Sequence, residues 1–230
     1  MRKVSRVGLP FLLGLLAAVT AVLGGCPSSY DPGNGTPDSS AGTGGTPQQN
    51  DELFVQQSDP QNWHFTTADT AYWGPSGYTL WSLSLPDQEP FAQREVSLVK
   101  TSGNAWAGFG LVLSHVDSAG AALESMLLVM INTQQQYTIG EVNGSHFNPY
   151  TSPTWVTSPN LTRGYGGSND VKVTRDAGGQ FTLYLNQVQT ATFRDGRTDA
   201  PDGGGNGFLV VISPQDSFPQ IPVSVSFTEK

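Results

Sequence analysis

Four kinds of side chain in this 230-residue sequence could do chemistry: one thiol, three imidazoles, scattered carboxylates and a stretch rich in aromatic rings. Cys26 is the only cysteine, so its thiol has no partner within the chain and no disulfide framework exists. His64, His115 and His146 lie far apart and show no H-x-x-x-H or C-x-x-C spacing. A zinc site would need three or four ligands converging from separate strands. Asp117 and Asp170 fall where strands should end, but a hard cation wants several oxygens together. No cofactor is expected, with calcium at such aspartates as the lesser alternative. Glycosidic hydrolysis takes two carboxylates. Glu124 and Glu141 each lack a second carboxylate two residues away, the spacing that puts both on one strand face. The segment 143–169 holds His146, Phe147, Tyr150, Trp155, Arg163 and Tyr165 among Gly, Pro, Ser and Asn. Aromatic faces stack on sugar rings, and Arg and Tyr bond hydroxyls. His146, Phe147, Tyr150, Arg163 and Tyr165 are therefore the candidate ligand-binding residues.

The elements that must position these groups begin with an address. Arg2, Lys3 and Arg6 precede an apolar run from Val7 to Leu23, the layout of a secretory signal. The run is short for a membrane span, which needs about 20 apolar residues. It ends in Leu23-Gly24-Gly25-Cys26, which resembles the lipobox of bacterial lipoproteins. That resemblance implies a signal peptide over 1–25, a lipid on the Cys26 thiol, and cleavage that makes Cys26 the first residue. Several acyl chains would hold such a protein firmly where one alone binds marginally. The expected location is the bacterial cell envelope, anchored to a membrane and facing periplasm or exterior.

Residues 26–50 follow as a linker rich in Gly, Pro and Ser, in which only Tyr30 could anchor a core. Losing the three leading cations leaves 8 basic against 19 acidic residues, a formal charge of −11. Nucleic acid and anionic lipid headgroups repel such a surface, so no nucleic-acid partner is expected. From 51 to 230 the pattern is of strands. Ala107, Phe109, Leu111 and Leu113 alternate with smaller residues, and so do Val171-Lys172-Val173, Phe181 to Leu185 and Val223 to Phe227. Met126 to Ile131 and Phe208 to Ile212 are apolar almost throughout, which predicts strands covered on both faces. Asp117 to Gly120, Asn143-Gly144 and Asp176 to Gly179 read as turns. Ser118 to Met130 is the best helical window, and it is short. Trp63, Tyr72, Trp73, Tyr78 and Trp81 are expected in the core. Strands at this spacing with polar turns point to an all-β fold, an antiparallel β-sandwich or barrel.

The order of segments is similar to the concanavalin A-like jelly rolls of the laminin-G type. The likeness spans about Leu80 to Phe227 and rests on Ala107 to Leu113, Gln136 to Gly144, Asn169 to Arg175 and Phe181 to Asn186, closing with Gly207 to Val211 and Val223 to Phe227. It implies a jelly-roll β-sandwich, with Trp155 and Leu161 in its framework. Glycan-cleaving members carry an E-x-D-x-E triplet on one strand, which this chain lacks. Gln187 stands where the family has Gly after the hairpin Asn186, so a turn other than type I′ is expected there. The reading that results is a membrane-anchored envelope lipoprotein whose domain binds glycan or another envelope component without catalysis. A host-facing or structural adhesion lipoprotein binding protein is the alternative, and a sugar-active enzyme comes third.

Overall fold

The computed structural model describes residues 48–72, 78–85, 91–116, 125–144, 146–197, 205–213 and 219–230. Fifteen strands follow in chain order: β1 (Gln48–Gln49), β2 (Phe54–Gln56), β3 (Asn62–Thr67), β4 (Tyr78–Leu85), β5 (Gln93–Ser102), β6 (Phe109–Val116), β7 (Ser125–Ile131), β8 (Gln136–Asn143), β9 (His146–Pro149), β10 (Val156–Thr157), β11 (Ser168–Arg175), β12 (Gln180–Leu185), β13 (Val188–Arg194), β14 (Gly205–Ile212) and β15 (Val223–Glu229). They form two sheets. Sheet A runs β1-β4-β14-β6-β7-β8-β10, with β9 also on β8; sheet B runs β13-β12-β11-β5-β15-β3-β2. All pairings are antiparallel except the two-residue contact of β1 with β4. The chain is an all-β jelly-roll sandwich.

Strand period explains the core. Phe65, Val96, Leu98, Val171, Val173, Phe181, Leu183, Leu185, Val225 and Phe227 turn inward from sheet B. Leu80, Phe109, Leu111, Leu127, Val129, Ile139, Phe208 and Val210 meet them from sheet A. Phe208 stacks on Phe227 with ring centroids 4.4 Å apart. Trp63, Tyr72, Tyr78 and Leu161 close this core as expected, while Trp73 lies outside the described residues.

The two outer faces differ. Outward side chains of sheet B include His64, Ser97, Thr174, Thr182, Tyr184, Ser224 and Ser226, a polar surface. Outward side chains of sheet A include Trp81, Val112, Met126, Leu128, Met130, Val142, Leu209 and Val211, none of these more than 2% exposed, with the half-buried Leu83 and His115 toward one end. Met126 to Ile131 and Phe208 to Ile212 are thus covered on both faces, as their continuous apolar runs predict.

Three local expectations need correction. The window from Ser118 is no helix where it is described: Ser125–Ile131 is a central strand, its pairing with β6 and β8 outweighing a weak helical period. Ala107 lies before β6 and packs with the outer cluster, out of phase with Phe109. At the β12–β13 hairpin, Asn186 (φ 48) and Gln187 (φ 70) both take left-handed values, the type I′ pattern that the glutamine was expected to prevent. Neighbours hold the tip. Asn186 Nδ2 donates to the Asn160 carbonyl at 2.7 Å, its Oδ1 accepts from Asp170 N at 2.7 Å, and Gln187 Nε2 reaches Glu95 at 2.8 Å.

Candidate functional site

Three loops meet at one end of the sandwich: 103–108 between β5 and β6, 132–135 between β7 and β8, and 158–167 between β10 and β11. Sequence sets each loop locally. Asn104 Oδ1 accepts from Trp106 N at 2.8 Å, and Asn132 Oδ1 accepts from Gln134 N at 2.9 Å, so both loops open on an Asx turn. Gly164 (φ 93) and Gly166 (φ 74) supply the left-handed residues that let loop 158–167 double back around Tyr165. The loops are then tied to one another. Thr133 donates its N–H and its hydroxyl to the Ala105 carbonyl at 3.2 and 2.9 Å. Gly164 N donates to Thr133 O, and Gly166 N to Lys100 O, both at 2.9 Å. The Tyr165 hydroxyl donates to the Gly103 carbonyl, and Gln135 Nε2 to Leu161 O at 2.6 Å.

Lys100 anchors this assembly from below. It is 1% exposed, and its Nζ donates to the carbonyls of Asn104 at 2.7 Å and Ala107 at 3.0 Å, 5.5 Å from the Phe109 ring centre. An ammonium there adds charged hydrogen bonds to buried turn carbonyls, of which Asn104 O also accepts from Ala107 N at 3.3 Å, and the ring face adds cation–π attraction. Above this frame Trp106 is 46% and Tyr165 48% exposed. Beside them the exposed Arg163 donates from Nη2 to Gln134 Oε1 at 3.0 Å. Two half-exposed rings on braced backbone, with guanidinium and amide groups alongside, make a contact surface that loses little conformational entropy on binding.

The five expected ligand-binding residues do not share this place. Arg163 and Tyr165 belong to it. His146 opens β9 and pairs with Asn143, at the far end of β8 from the 132–135 loop. Phe147 is 7% exposed and packs in the outer cluster of sheet A, where Gly140 leaves room: a Cβ there would lie 2.7 Å from its ring. Phe147 is a packing residue and not part of an open rim. Tyr150 sits apart too, donating to Glu141 Oε2 at 2.6 Å and accepting from Gly196 N at 2.9 Å. Burial drives its hydroxyl well above the ordinary phenol range; the bond to Glu141 adds to this, and the Gly196 N–H opposes it. Trp155 leans over Gly108 and Met130 as framework.

Trp106 is the residue that sequence reasoning passed over. Its signal was a large aromatic in the turn Gly103-Asn104-Ala105-Trp106, outside the alternation of either flanking strand. Glu124 and Asp117 lie outside the described residues, as do Leu23, Gly24, Gly25 and Cys26. Asp170 pairs with Lys230 at 2.6 Å. His64 lies between Ser224 and Ser226, and His115 packs against Trp81 with ring centres 4.4 Å apart and planes tilted by 37°. Among the described residues no three His, Cys, Asp or Glu side chains converge as a metal would require.

No family model matches the chain, and no curated protein does. Solved structures with a similar course include a β-glucanase of Bacillus licheniformis, at 8% identity and a TM-score of 0.48, covering 80% of this chain and 83% of that one. A carbohydrate-binding module of Bacillus subtilis follows at 9% identity and 0.42, covering 75% and 81%. An alginate lyase of Pseudomonas aeruginosa follows at 10% and 0.43, covering 78% and 85%. Likenesses this distant say nothing of what this chain binds, and the jelly-roll assignment stands on its own strand order.

Proposed function

We propose that this chain is an exported envelope lipoprotein, lipidated at Cys26, whose sandwich binds a glycan at the Trp106–Tyr165 loops and does not cleave it. The carrying observation is the pair of half-exposed rings on loops braced by Lys100, Thr133 and Gly164. Apolar sugar faces stack on such rings, while Gln134 and Arg163 offer bonds to hydroxyls. The three loops contain no Asp, Glu, His or Cys. They therefore bring no carboxylate pair to a bound glycan, which supports binding over hydrolysis.

The test is titration of peptidoglycan and polysaccharide fragments against the protein and its Trp106→Ala/Tyr165→Ala form. Loss of two anchoring rings should weaken binding about tenfold or more. Absence of binding at millimolar glycan, or equal binding by both forms, would overturn the site; capture of a basic protein partner by the same loops would favour the adhesion alternative. Metabolic labelling with palmitate, lost in Cys26→Ser, tests the anchor separately.

A further inference from the structure

The loops that carry Trp106 and Tyr165 differ in charge from the rest of the chain. The sequence holds 19 acidic against 11 basic residues, yet loops 103–108, 132–135 and 158–167 contain no carboxylate and one charged side chain, Arg163. A second cation, Lys100, lies directly beneath them, its Nζ on the carbonyls of Asn104 and Ala107. The loops around the exposed rings are therefore locally positive on an acidic molecule. We propose that the glycan stacked on these rings carries a carboxylate, and that the Arg163 guanidinium receives it. The inference rests on the glycan reading and narrows its ligand from any hydroxyl-rich chain to an acidic one.

The guanidinium is held in place by its neighbours. Its Nη2 donates to Gln134 Oε1 at 3.0 Å, and Gln134 is itself fixed by the bond from its backbone N–H to Asn132 Oδ1 at 2.9 Å. Tyr165, two residues on, is tied through its hydroxyl to the Gly103 carbonyl, so ring and guanidinium leave the same braced loop. Arginine has five N–H donors, and among the described residues only the one on Gln134 is engaged. A planar guanidinium and a planar carboxylate meet through two parallel bonds, each about twice as strong as a neutral one. A hydroxyl brings neither the second bond nor the charge. Gly164 and Gly166, on either side of Tyr165, face open space: a Cβ on either would meet nothing within 4 Å. That opening lets a sugar ring approach the backbone between Arg163 and Tyr165.

Nearby carboxylates are engaged elsewhere. Asp170 pairs with Lys230 at 2.6 Å, and Glu95 accepts from Gln187 Nε2 at 2.8 Å. Glu141 takes the Tyr150 hydroxyl toward the other end of β8. Charges farther off than about 8 Å are largely screened at physiological ionic strength, which leaves the local cation to decide the contact. The acidity of the whole molecule also limits the charge density of the ligand. A chain with a carboxylate on every ring would be repelled wherever it ran past the loops, whereas carboxylates spaced by neutral sugars meet Arg163 and little else. A sparsely carboxylated glycan is the class that fits.

The test titrates two tetrasaccharides by calorimetry, one alternating N-acetylglucosamine with N-acetylmuramic acid and one alternating it with glucuronic acid. Each is compared with its carboxyl-reduced, neutral twin. At least one acidic tetrasaccharide should bind about tenfold more tightly than its twin, and raising salt from about 50 to about 500 mM should narrow that ratio. Arg163→Gln should bring the ratio near one. Arg163→Lys should restore part of it, because an ammonium keeps the charge and loses the fork. Both variants alter an exposed side chain, so the fold should be retained. Twins bound alike by the unaltered protein, or a preference that survives Arg163→Gln, would overturn the carboxylate and leave the glycan reading standing. Absence of binding by all four sugars at millimolar concentration would overturn both.

Discussion

Both outer faces of this sandwich are built from strands of similar length, yet they solve opposite problems. Sheet B turns Ser97, Thr174, Thr182, Ser224 and Ser226 outward, small polar side chains that bond one another, as Ser97 does with Ser168 at 2.7 Å. Sheet A turns out Trp81, Met126, Leu128, Met130, Leu209 and Val211 instead. One face is matched to water and the other to an apolar neighbour, although both sheets contribute equally to the core between them. A sheet with one wet face shows clean alternation, and a sheet covered twice shows continuous apolar runs.

The sharpest way to break this comparison is to place the same charge on each face. Leu209→Asp buries a carboxylate among Val112, Leu128 and Val211 and should cost about 3–5 kcal/mol. Thr182→Asp lies opposite Thr174 and Thr192 on sheet B and should change stability by no more than about 1 kcal/mol. Urea unfolding of both variants checks the contrast, and equal costs would erase it. Next in size is Gly140→Ala. Its Cβ would meet the Phe147 ring at 2.7 Å and the Asn148 carbonyl at 2.6 Å, so about 1–3 kcal/mol should be lost. Ser97→Ala, on the wet face, should cost less than about 1 kcal/mol by the same measurement.

How far the sequence revealed this follows from the same contrast. Val171, Val173, Leu183 and Val225 were legible as core because one face of their strands is wet, which writes a period of two into the chain. The continuous runs in β7 and β14 announced double cover but not what provides it, since apolar residues do not record their partners. Arg163 and Tyr165 were found from loop composition, and Phe147 was misplaced by it. Nothing local says that Gly140, on a strand seven residues earlier, opens a seat for that ring. His146 and Tyr165 come to different places because the β8–β9 hairpin carries one to the end of the sheet that the other never reaches. Trp106 was hidden by a pattern search that follows strands, while its role depends on Lys100 and Thr133 bracing a turn.

Smaller effects should mark the hairpin tip of sheet B. Gln187 holds φ 70, a region that costs an L side chain roughly 1–2 kcal/mol. Gln187→Gly relieves this and forfeits an exposed bond to Glu95, so a net gain of about 0.5–1 kcal/mol is expected in urea unfolding. A loss of stability would show that the Glu95 contact outweighs the backbone.

The smallest effect belongs to the ion pair beside that tip. Burial opposes ionisation of Asp170, but hydrogen bonds from Lys230, Ser97 and Gln187, with the Lys230 charge, outweigh it and hold the carboxyl below its ordinary range. Its folded pKa is therefore lower than its unfolded one. The pair stabilises fully above the unfolded value, near 3.9, and that contribution disappears as pH falls through the lower folded value. Lys230 is 41% exposed, which limits the pair to less than about 1 kcal/mol. Asp170→Asn should accordingly lower stability slightly at pH 6 and converge on the unaltered protein as pH falls through the lowered folded value. The wet face would then owe its order to many such weak terms, where the apolar face depends on exclusion of water. A difference between the two proteins that persisted undiminished into acid would assign the loss at Asp170 to packing and narrow the contrast between the faces.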